Sequence, residues 1–252
     1  MSTWSSRRKY LYAFIVIVVL ALAATGIIFS FFYEAPSCTD NKKNGDEQGI
    51  DCGGSCTKLC SNAFLAIPSP SWVRFKEVGP KLYNIAAYIV NPNKKAGANK
   101  IPYHLSVLNN EGFELASSEG IFDLPPGRNT MVFIGGLRVA NQVPVRAIFE
   151  FTKQPEWVPG VDTLANLDIT DKNYRESTTE SSLDVTLRNR DPLVVRNVAV
   201  YAILKDKDGN VLDFSRTIVD EISSQGTGIA PFTWPVSHLG KVISLEVLAV
   251  PE

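Results

Sequence analysis

The stretch from Ser37 to Ser61, SCTDNKKNGDEQGIDCGGSCTKLCS, concentrates the residue types that could do chemistry. It holds all four cysteines of the chain: Cys38, Cys52, Cys56 and Cys60. An even number of cysteines in an oxidising compartment points to two disulfides, with three pairings open. So small and polar a segment cannot build a core, and it needs cross-links or a metal to hold a shape. Between the first two cysteines lie Asp40, Asn44, Asp46, Glu47 and Asp51. Hard oxygen donors this close together, with Gly45 and Gly49 for tight turns, suit calcium, and Asp40, Asn44, Glu47 and Asp51 are the candidate metal ligands. The D-x-D-x-D-G register of an EF-hand and its twelfth-position Glu are missing. The competing reading is two disulfides with solvated acidic loops and no metal. The C-x13-C-x3-C-x3-C spacing fits neither a four-cysteine zinc site nor an iron–sulfur cluster well.

Elsewhere the chemical signals are sparse. HExxH, GxSxG, GxxxxGK[ST] and a helix-opening GxGxxG do not occur. The two histidines, His104 and His238, read as ordinary strand or loop residues. Asp206, Asp208 and Asp213 read as a solvated hairpin, with a weak cation site as the alternative. Trp72, Trp157 and Trp234 suit the plugging of a sandwich core or a domain junction, or a stacking platform for sugar. A net charge of −1 without a long basic block argues against nucleic acid as a partner.

The elements that must position these residues begin with an uncharged run, Tyr10 to Tyr33. About 22 helical residues span roughly 33 Å, enough for a bilayer core of about 30 Å. Arg7, Arg8 and Lys9 precede the run, and Glu34 and Asp40 follow it. The positive-inside rule then places residues 1–9 in the cytoplasm and the bulk of the chain outside the cell membrane. A cleaved signal peptide is the alternative, since Ala21-Leu22-Ala23 resembles a cleavage site, but the run outlasts a typical h-region. Beyond Cys60, short runs of Val, Ile, Phe and Tyr alternate with Gly, Pro and Asn turns, the pattern of an all-β sandwich. Twelve strands are expected, near 72–78, 83–90, 102–108, 112–122, 129–137, 145–151, 164–170, 182–188, 197–205, 210–219, 228–235 and 242–250. Two hairpin signals, Asn109–Gly112 and Asp206–Asn210, fall at nearly the same place in each half. Tyr83–Pro92 lines up with Ser181–Arg190, and His104–Leu108 with Val200–Leu204. Two tandem copies of one β domain explain this economically; a single larger sandwich is the alternative.

Two resemblances sharpen the picture. The string carried by Cys38, Asp40, Asn44, Glu47, Gly49, Asp51, Cys52, Gly53, Gly54 and Cys56 resembles a short DCGGxC cysteine module of secreted or surface-anchored bacterial and archaeal proteins. That resemblance implies a structural knot with calcium as its candidate ion. A strand ending in Asn91-Pro92-Asn93, then a strand–turn–strand and Pro125-Pro126-Gly127, resembles the immunoglobulin-like sandwiches of the water-stress (late-embryogenesis-abundant, WHy) and FxLYD-type families. That resemblance implies seven-stranded sandwiches without a catalytic centre. The second copy departs from it, with Asn189-Arg190-Asp191-Pro192 in place of NPN. The whole is similar to membrane-anchored prokaryotic envelope proteins.

The expected architecture is all-β: a cytoplasmic N-terminus (1–9), a transmembrane helix (10–33), a Cys-rich module (37–61), two tandem immunoglobulin-like β-sandwiches (63–153 and 163–252) and a short Pro-containing linker between them (154–162). The expected function is non-catalytic, an extracytoplasmic structural or protein-interaction role. The bilayer is one partner, through residues 10–33, and another envelope protein the other. A carbohydrate- or peptidoglycan-binding surface module is the alternative, and a membrane-anchored hydrolase a more distant one.

Overall fold

The structure, a computed structural model, describes residues 4–33, 35–60, 66, 68–139, 142–160, 164 and 166–251. Glu34, the expected opening of the first sandwich at 63–65, the end of the linker at 161–162 and the expected first residue of the second sandwich, 163, lie outside these residues. The chain divides into two compact units, Met1–Cys56 and Thr57–Glu252.

The first unit begins with α1 (Trp4–Phe32). Its Arg7–Ser30 segment has a mean hydropathy of 2.8 and none of it is buried against protein, so it is long and apolar enough to cross a membrane. Within it Thr25 Oγ1 donates to the Ala21 carbonyl and Ser30 Oγ to that of Ile27, so both hydroxyls are satisfied inside the helix.

Among the described residues the second unit carries twelve long strands and one short one. They are β1 (Ser69–Gly79), β2 (Leu82–Val90), β3 (Ala96–Leu108), β4 (Glu114–Leu124), β5 (Thr130–Arg138), β6 (Arg146–Phe151), β7 (Val158–Pro159), β8 (Leu167–Glu176), β9 (Ser181–Asn189), β10 (Val195–Lys205), β11 (Val211–Ile222), β12 (Thr227–Trp234) and β13 (Ser244–Pro251). All pairings are antiparallel. The first sandwich faces sheet β1-β2-β5 against sheet β4-β3-β6, and the second faces β8-β9-β12 against β11-β10-β13. The same pairing order recurs in both, so the tandem repeat is real at the level of topology.

The repeat also holds atom by atom at its turns. Buried Asn91 donates Nδ2 to the carbonyls of Ala96 and Pro125 and accepts from Asn93 N–H. Buried Asn189 does the same work, donating to Leu193, Ile222 and Ser223 carbonyls and accepting from Asp191 N–H. The motif asparagine therefore ties the end of one strand to the loop leaving it and to the end of a strand in the facing sheet. Likewise Asn109 Oδ1 accepts from the N–H groups of Glu111 and Phe113, and Asp206 Oδ1 from those of Asp208 and Asn210. Gly112 and Gly209 close these hairpins at φ of 87° and 80°.

One alignment shifts. Each copy carries a bulge just before its hairpin, where Val107↔Ala116 gives way to Leu108↔Glu114 and Leu204↔Asp213 to Lys205↔Val211. Val107 therefore corresponds to Leu204 and Leu105 to Ala202, one residue away from the match read off the sequence. The distinction matters because a one-residue slip exchanges the two faces of a strand.

Three apolar clusters hold the unit together. Leu105, Val107, Ile85 and Ile89 centre the first sandwich, and Leu183, Leu187, Val200 and Leu204 the second. The third lies between them. Ala86, Tyr88 and Met131 on the outer face of one sheet meet Ala199, Tyr201, Ile203, Phe214 and Val250 on the outer face of another. Trp72 packs onto this cluster, its ring 5.5 Å from Tyr88 and 6.0 Å from Phe214. This is why β2 and β10 read as unbroken apolar runs: a strand buried on both faces cannot alternate. The linker is fixed as well. Trp157 is buried in the first core, its carbonyl accepts from Leu59 N–H, and β7 pairs with β3.

Candidate functional site

In the Cys-rich module Cys38 and Cys56 form a disulfide, and Cys52 and Cys60 are also disulfide-bonded, so no cysteine is free among the described residues. The candidate calcium ligands are turned onto the module's own chain. Asp40 Oδ1 accepts from Lys42 N–H and its Oδ2 from Asn44 Nδ2, at 2.8 and 2.7 Å. Both Asp51 oxygens face the Asn41 N–H, and Glu47 Oε2 accepts from Asn44 N–H. The Asn44 bond, and after it the Lys42 N–H, hold the Asp40 carboxyl below its usual range. Among the described residues, the cluster with metal-ligand spacing is Cys38, Glu47 and Cys56. Its two sulfurs are joined to each other and cannot act as thiolate ligands. Asp40, Glu47 and Asp51 thus each accept an N–H within the module, while among the described residues the buried Asn44 Oδ1 has no hydrogen-bond partner. Gly54 is indispensable to the turn: its φ is +61° and a Cβ would lie 2.2 Å from the Asp46 carbonyl oxygen.

A different constellation lies beside the junction between the sandwiches. Asp213 on β11 is 4% exposed and His238, on the connection after β12, is 5% exposed. His238 Nε2 lies 3.2 Å from Asp213 Oδ2, and Lys76 Nζ from β1 of the other sandwich lies 3.7 Å from the same oxygen. Asp213 Oδ1 accepts the Phe214 N–H. On its other side, His238 places Nδ1 3.2 Å from Ser181 Oγ, which also accepts the His238 N–H. Burial raises the Asp213 carboxyl above the usual carboxylate value, opposed by the Phe214 N–H, Lys76 and His238. Trp234 Nε1 is enclosed nearby with no acceptor among the described residues. A cavity of about 420 Å3, lined by Lys76, Asn84, Asp213, Thr233 and Trp234 among others, adjoins the cluster.

These polar residues are not demanded by the fold. In the first sandwich the corresponding places hold Ala116 for Asp213, Tyr83 for Ser181, Phe75 for Tyr174 and Leu137 for Trp234, all members of its apolar core. The second copy therefore carries a charge where the first carries packing, at a desolvation cost of several kcal/mol before compensation. Three residue types of a hydrolytic triad are present, but the geometry is not that of one. Ser181 is fully buried, and its hydroxyl contacts Nδ1 while the carboxylate sits at Nε2.

On the other side of the junction core, beside β5, lies a cavity of about 500 Å3. Tyr103, Phe122 and Phe133 wall it from the first sandwich and Tyr201 from the second. Lys100, Asp123 and Arg216 supply its charges, and the Asp123 carboxylate accepts the Lys100 N–H at 2.7 Å.

On sequence alone Asp213 belongs to a solvated hairpin and His238 to the ordinary loop residues. The structure corrects the first, because Asp213 faces inward beside the bulge while Asp206 caps the turn. The available signal is the internal alignment, in which an aspartate falls where the first copy has Ala116. His104 does lie on an exposed strand face, between Glu114 and Glu119 at 3.1 and 3.3 Å, and these carboxylates raise its pKa. Trp157 and Trp234 are core residues of the first and second sandwich and Trp72 borders the junction.

No family model and no curated protein matches this chain. Among solved structures, it is similar to a Bacteroides fragilis protein described as a β-galactosidase, at 15% identity and a TM-score of 0.23, over 68% of this chain and 33% of the other. A β-glucuronidase from glycoside hydrolase family 2 gives 11% and 0.25 over 87% and 29%, and Bacteroides uniformis β-glucuronidase 12% and 0.24 over 62% and 22%. The chain spans a third or less of the length of these enzymes. Likeness at this level carries no inference about activity.

Proposed function

We propose that this chain is a non-catalytic, membrane-anchored protein that presents a rigid two-sandwich body outside the cytoplasm for contact with other envelope components. The observation that supports it most is the third apolar cluster. A pair of domains joined only by a flexible tether would have no reason to bury Tyr88, Met131, Ile203 and Phe214 between them. Around that cluster the Tyr88 hydroxyl donates to Glu246 Oε1 across the junction at 2.5 Å, and Glu246 is in turn paired with Lys205. Burial, reinforced by the Glu246 carboxylate, pushes the Tyr88 hydroxyl up to about 12, so this bridge persists at every physiological pH. α1 supplies the anchor and the basic residues Arg7, Arg8 and Lys9 its cytoplasmic side.

The test is topological. Single cysteines introduced as Ile229→Cys, on the exposed face of β12, and Lys9→Cys are treated in intact cells with a membrane-impermeant maleimide. Labelling of the first alone supports the proposal; labelling of the second alone overturns its orientation.

A further inference from the structure

We infer that the free edge of β5 is a docking site for an extended segment of a partner protein, apolar along its middle and acidic at a flank, which adds as a further strand. β5 pairs with β2 on one side and with no strand on the other. Five consecutive residues of β5, Thr130 to Ile134, line the groove of about 500 Å3 between β4 and the second sandwich. The backbone groups of an antiparallel strand point alternately to its two sides, so every second residue offers an N–H and a C=O to this groove. Met131 is 2% exposed, and its strand has no partner on that side among the described residues. Buried backbone groups are almost always paired, so this edge lacks one strand.

The second sandwich carries the same edge in a sealed form. Its β12 is the counterpart of β5, and Pro231, opposite Asp184, stands where β5 has Phe133, opposite Ala86. Proline has no N–H to offer, and the Pro231 carbonyl accepts Thr217 Oγ1 from β11 at 2.6 Å. Position 231 therefore turns its backbone away from β9, and by the repeat Phe133 and Met131 turn theirs away from β2. At the place of Thr217 the first sandwich has Gly120, with no side chain to cap a carbonyl. Both devices that seal β12 are thus missing at β5. Charge does not guard the edge either. Among the described outer strands, β5 alone has no charged residue or proline before its last position, Arg138.

The shape of the edge selects its occupant. Thr130, Met131 and Val132 are all buried, so the β5 of a second folded copy, recessed in the same way, cannot reach them. A thin extended segment can. Gly135 and Gly136 together stand opposite Asn84, and this bulge bends β5 and limits pairing to about five residues, about 17 Å. Side chains of an added strand face the two walls alternately, and these are apolar at Phe122 and Ala199. Lys100 and Arg216 outnumber the one carboxylate in the lining, Asp123, which favours an acidic flank.

The inference deepens the proposed function and rests on its rigid body, because the second sandwich walls the groove. Peptides are selected from a random display library on the full-length protein in nanodiscs and compared on its Phe133→Pro variant. The variant copies the residue that β12 carries, and its melting curve reports that it is folded. The expected result is enrichment of proline-free sequences with alternating apolar residues and an acidic flank, bound at least about fivefold more weakly by Phe133→Pro. Methylating alternate backbone nitrogens of an enriched peptide needs no variant. One alternate set, facing β5, should lose affinity, each lost bond being worth about two- to tenfold, and the other set should not. Binding should also protect the Phe133 amide from hydrogen exchange. No enrichment over the variant, indifference to both methylations, or a Phe133 amide already protected without peptide overturns the inference. Concentration-dependent dimers abolished by Phe133→Pro assign the edge to a second copy and overturn it as well. Spin labels on the two sandwiches separate the causes of failure. A narrow inter-label distance with no binding refutes the docked segment alone, and a broad one refutes the rigid body.

Discussion

Truncating Met131 should destabilise the sandwich to which it does not belong. Met131 lies on β5 of the first sandwich, is 2% exposed, and packs into the junction cluster against the second. Met131→Ala removes a side chain whose full burial is worth about 1.5–3 kcal/mol and leaves a cavity, for a total of about 2–5 kcal/mol. If the two sandwiches unfold as one cooperative unit, that loss appears everywhere in the unit. Hydrogen exchange of the second sandwich's β10 amides, Val198 to Leu204, reads it directly. A loss of about 2 kcal/mol lowers protection about thirtyfold, since each 1.4 kcal/mol is a factor of ten. Leu105→Ala, in the first core, provides the comparison, because it should produce the same spread to β10. Unchanged β10 protection in Met131→Ala, with protection lost in β2 and β5, would refute cooperative docking.

Other outcomes follow from the site geometry. Replacing Asn189 by Ala should cost about 1.5–4.5 kcal/mol in urea unfolding, from two Nδ2–H donors shared over three carbonyls plus the Oδ1 that accepts Asp191 N–H, three bonds at about 0.5–1.5 kcal/mol each. Asn91→Ala, which loses two Nδ2 bonds and one Oδ1 bond, should cost a similar amount. Because burial raises the folded-state pKa of Asp213 above 3.8, the folded protein binds its proton first. Relative to Asp213→Asn, wild-type stability should therefore fall as pH rises from about 3.8 to that raised value and then level off. His238 and Lys76 face the carboxylate, so Lys76→Met should carry this fall on to higher pH; the opposite slope in paired urea titrations would contradict the assignment. A fluorophosphonate probe should leave buried Ser181 unlabelled, and labelling there would revive a hydrolase. In the Cys-rich module, reduction of the 18-residue Cys38–Cys56 loop should remove about 3 kcal/mol of constraint. A calcium-versus-chelator melt tests the candidate ligands: a calcium-dependent rise abolished by Asp40→Ala would support a metal site, and an unchanged melt would leave a knot held by disulfides alone.

Most of the architecture was legible in the residues. The twelve long strands, the hairpins at Asn109 and Asp206 and the apolar helix follow from alternation, turn chemistry and length, all of them local. What stayed hidden depends on which face a strand turns to which neighbour. The runs around Tyr88 and Tyr201 lack alternation, which records two-sided burial without naming the partner face. The bulge that both copies carry before the hairpin fixes their correspondence one residue away from the match read off the apolar runs, and with it the correspondence of Asp213 to Ala116 that marks the buried cluster. The acidic residues of the Cys-rich module have the composition of a metal site, and Asp40, Glu47 and Asp51 also accept N–H groups within the module. Composition cannot distinguish those uses, because both require oxygen beside glycine.

The rigid docking of the two sandwiches is tested most directly by a distance distribution. Phe113→Cys, at the hairpin tip of the first sandwich, and Ile229→Cys, on β12 of the second, are both exposed and can be spin-labelled in the full-length protein in nanodiscs. Because the native cysteines are oxidised, the labels report only the introduced pair. Pulsed dipolar spectroscopy should give one narrow distance that broadens when Ile203 in the junction is replaced by Asp. A broad distribution in the otherwise unaltered protein, unchanged by Ile203→Asp, would contradict a single rigid body.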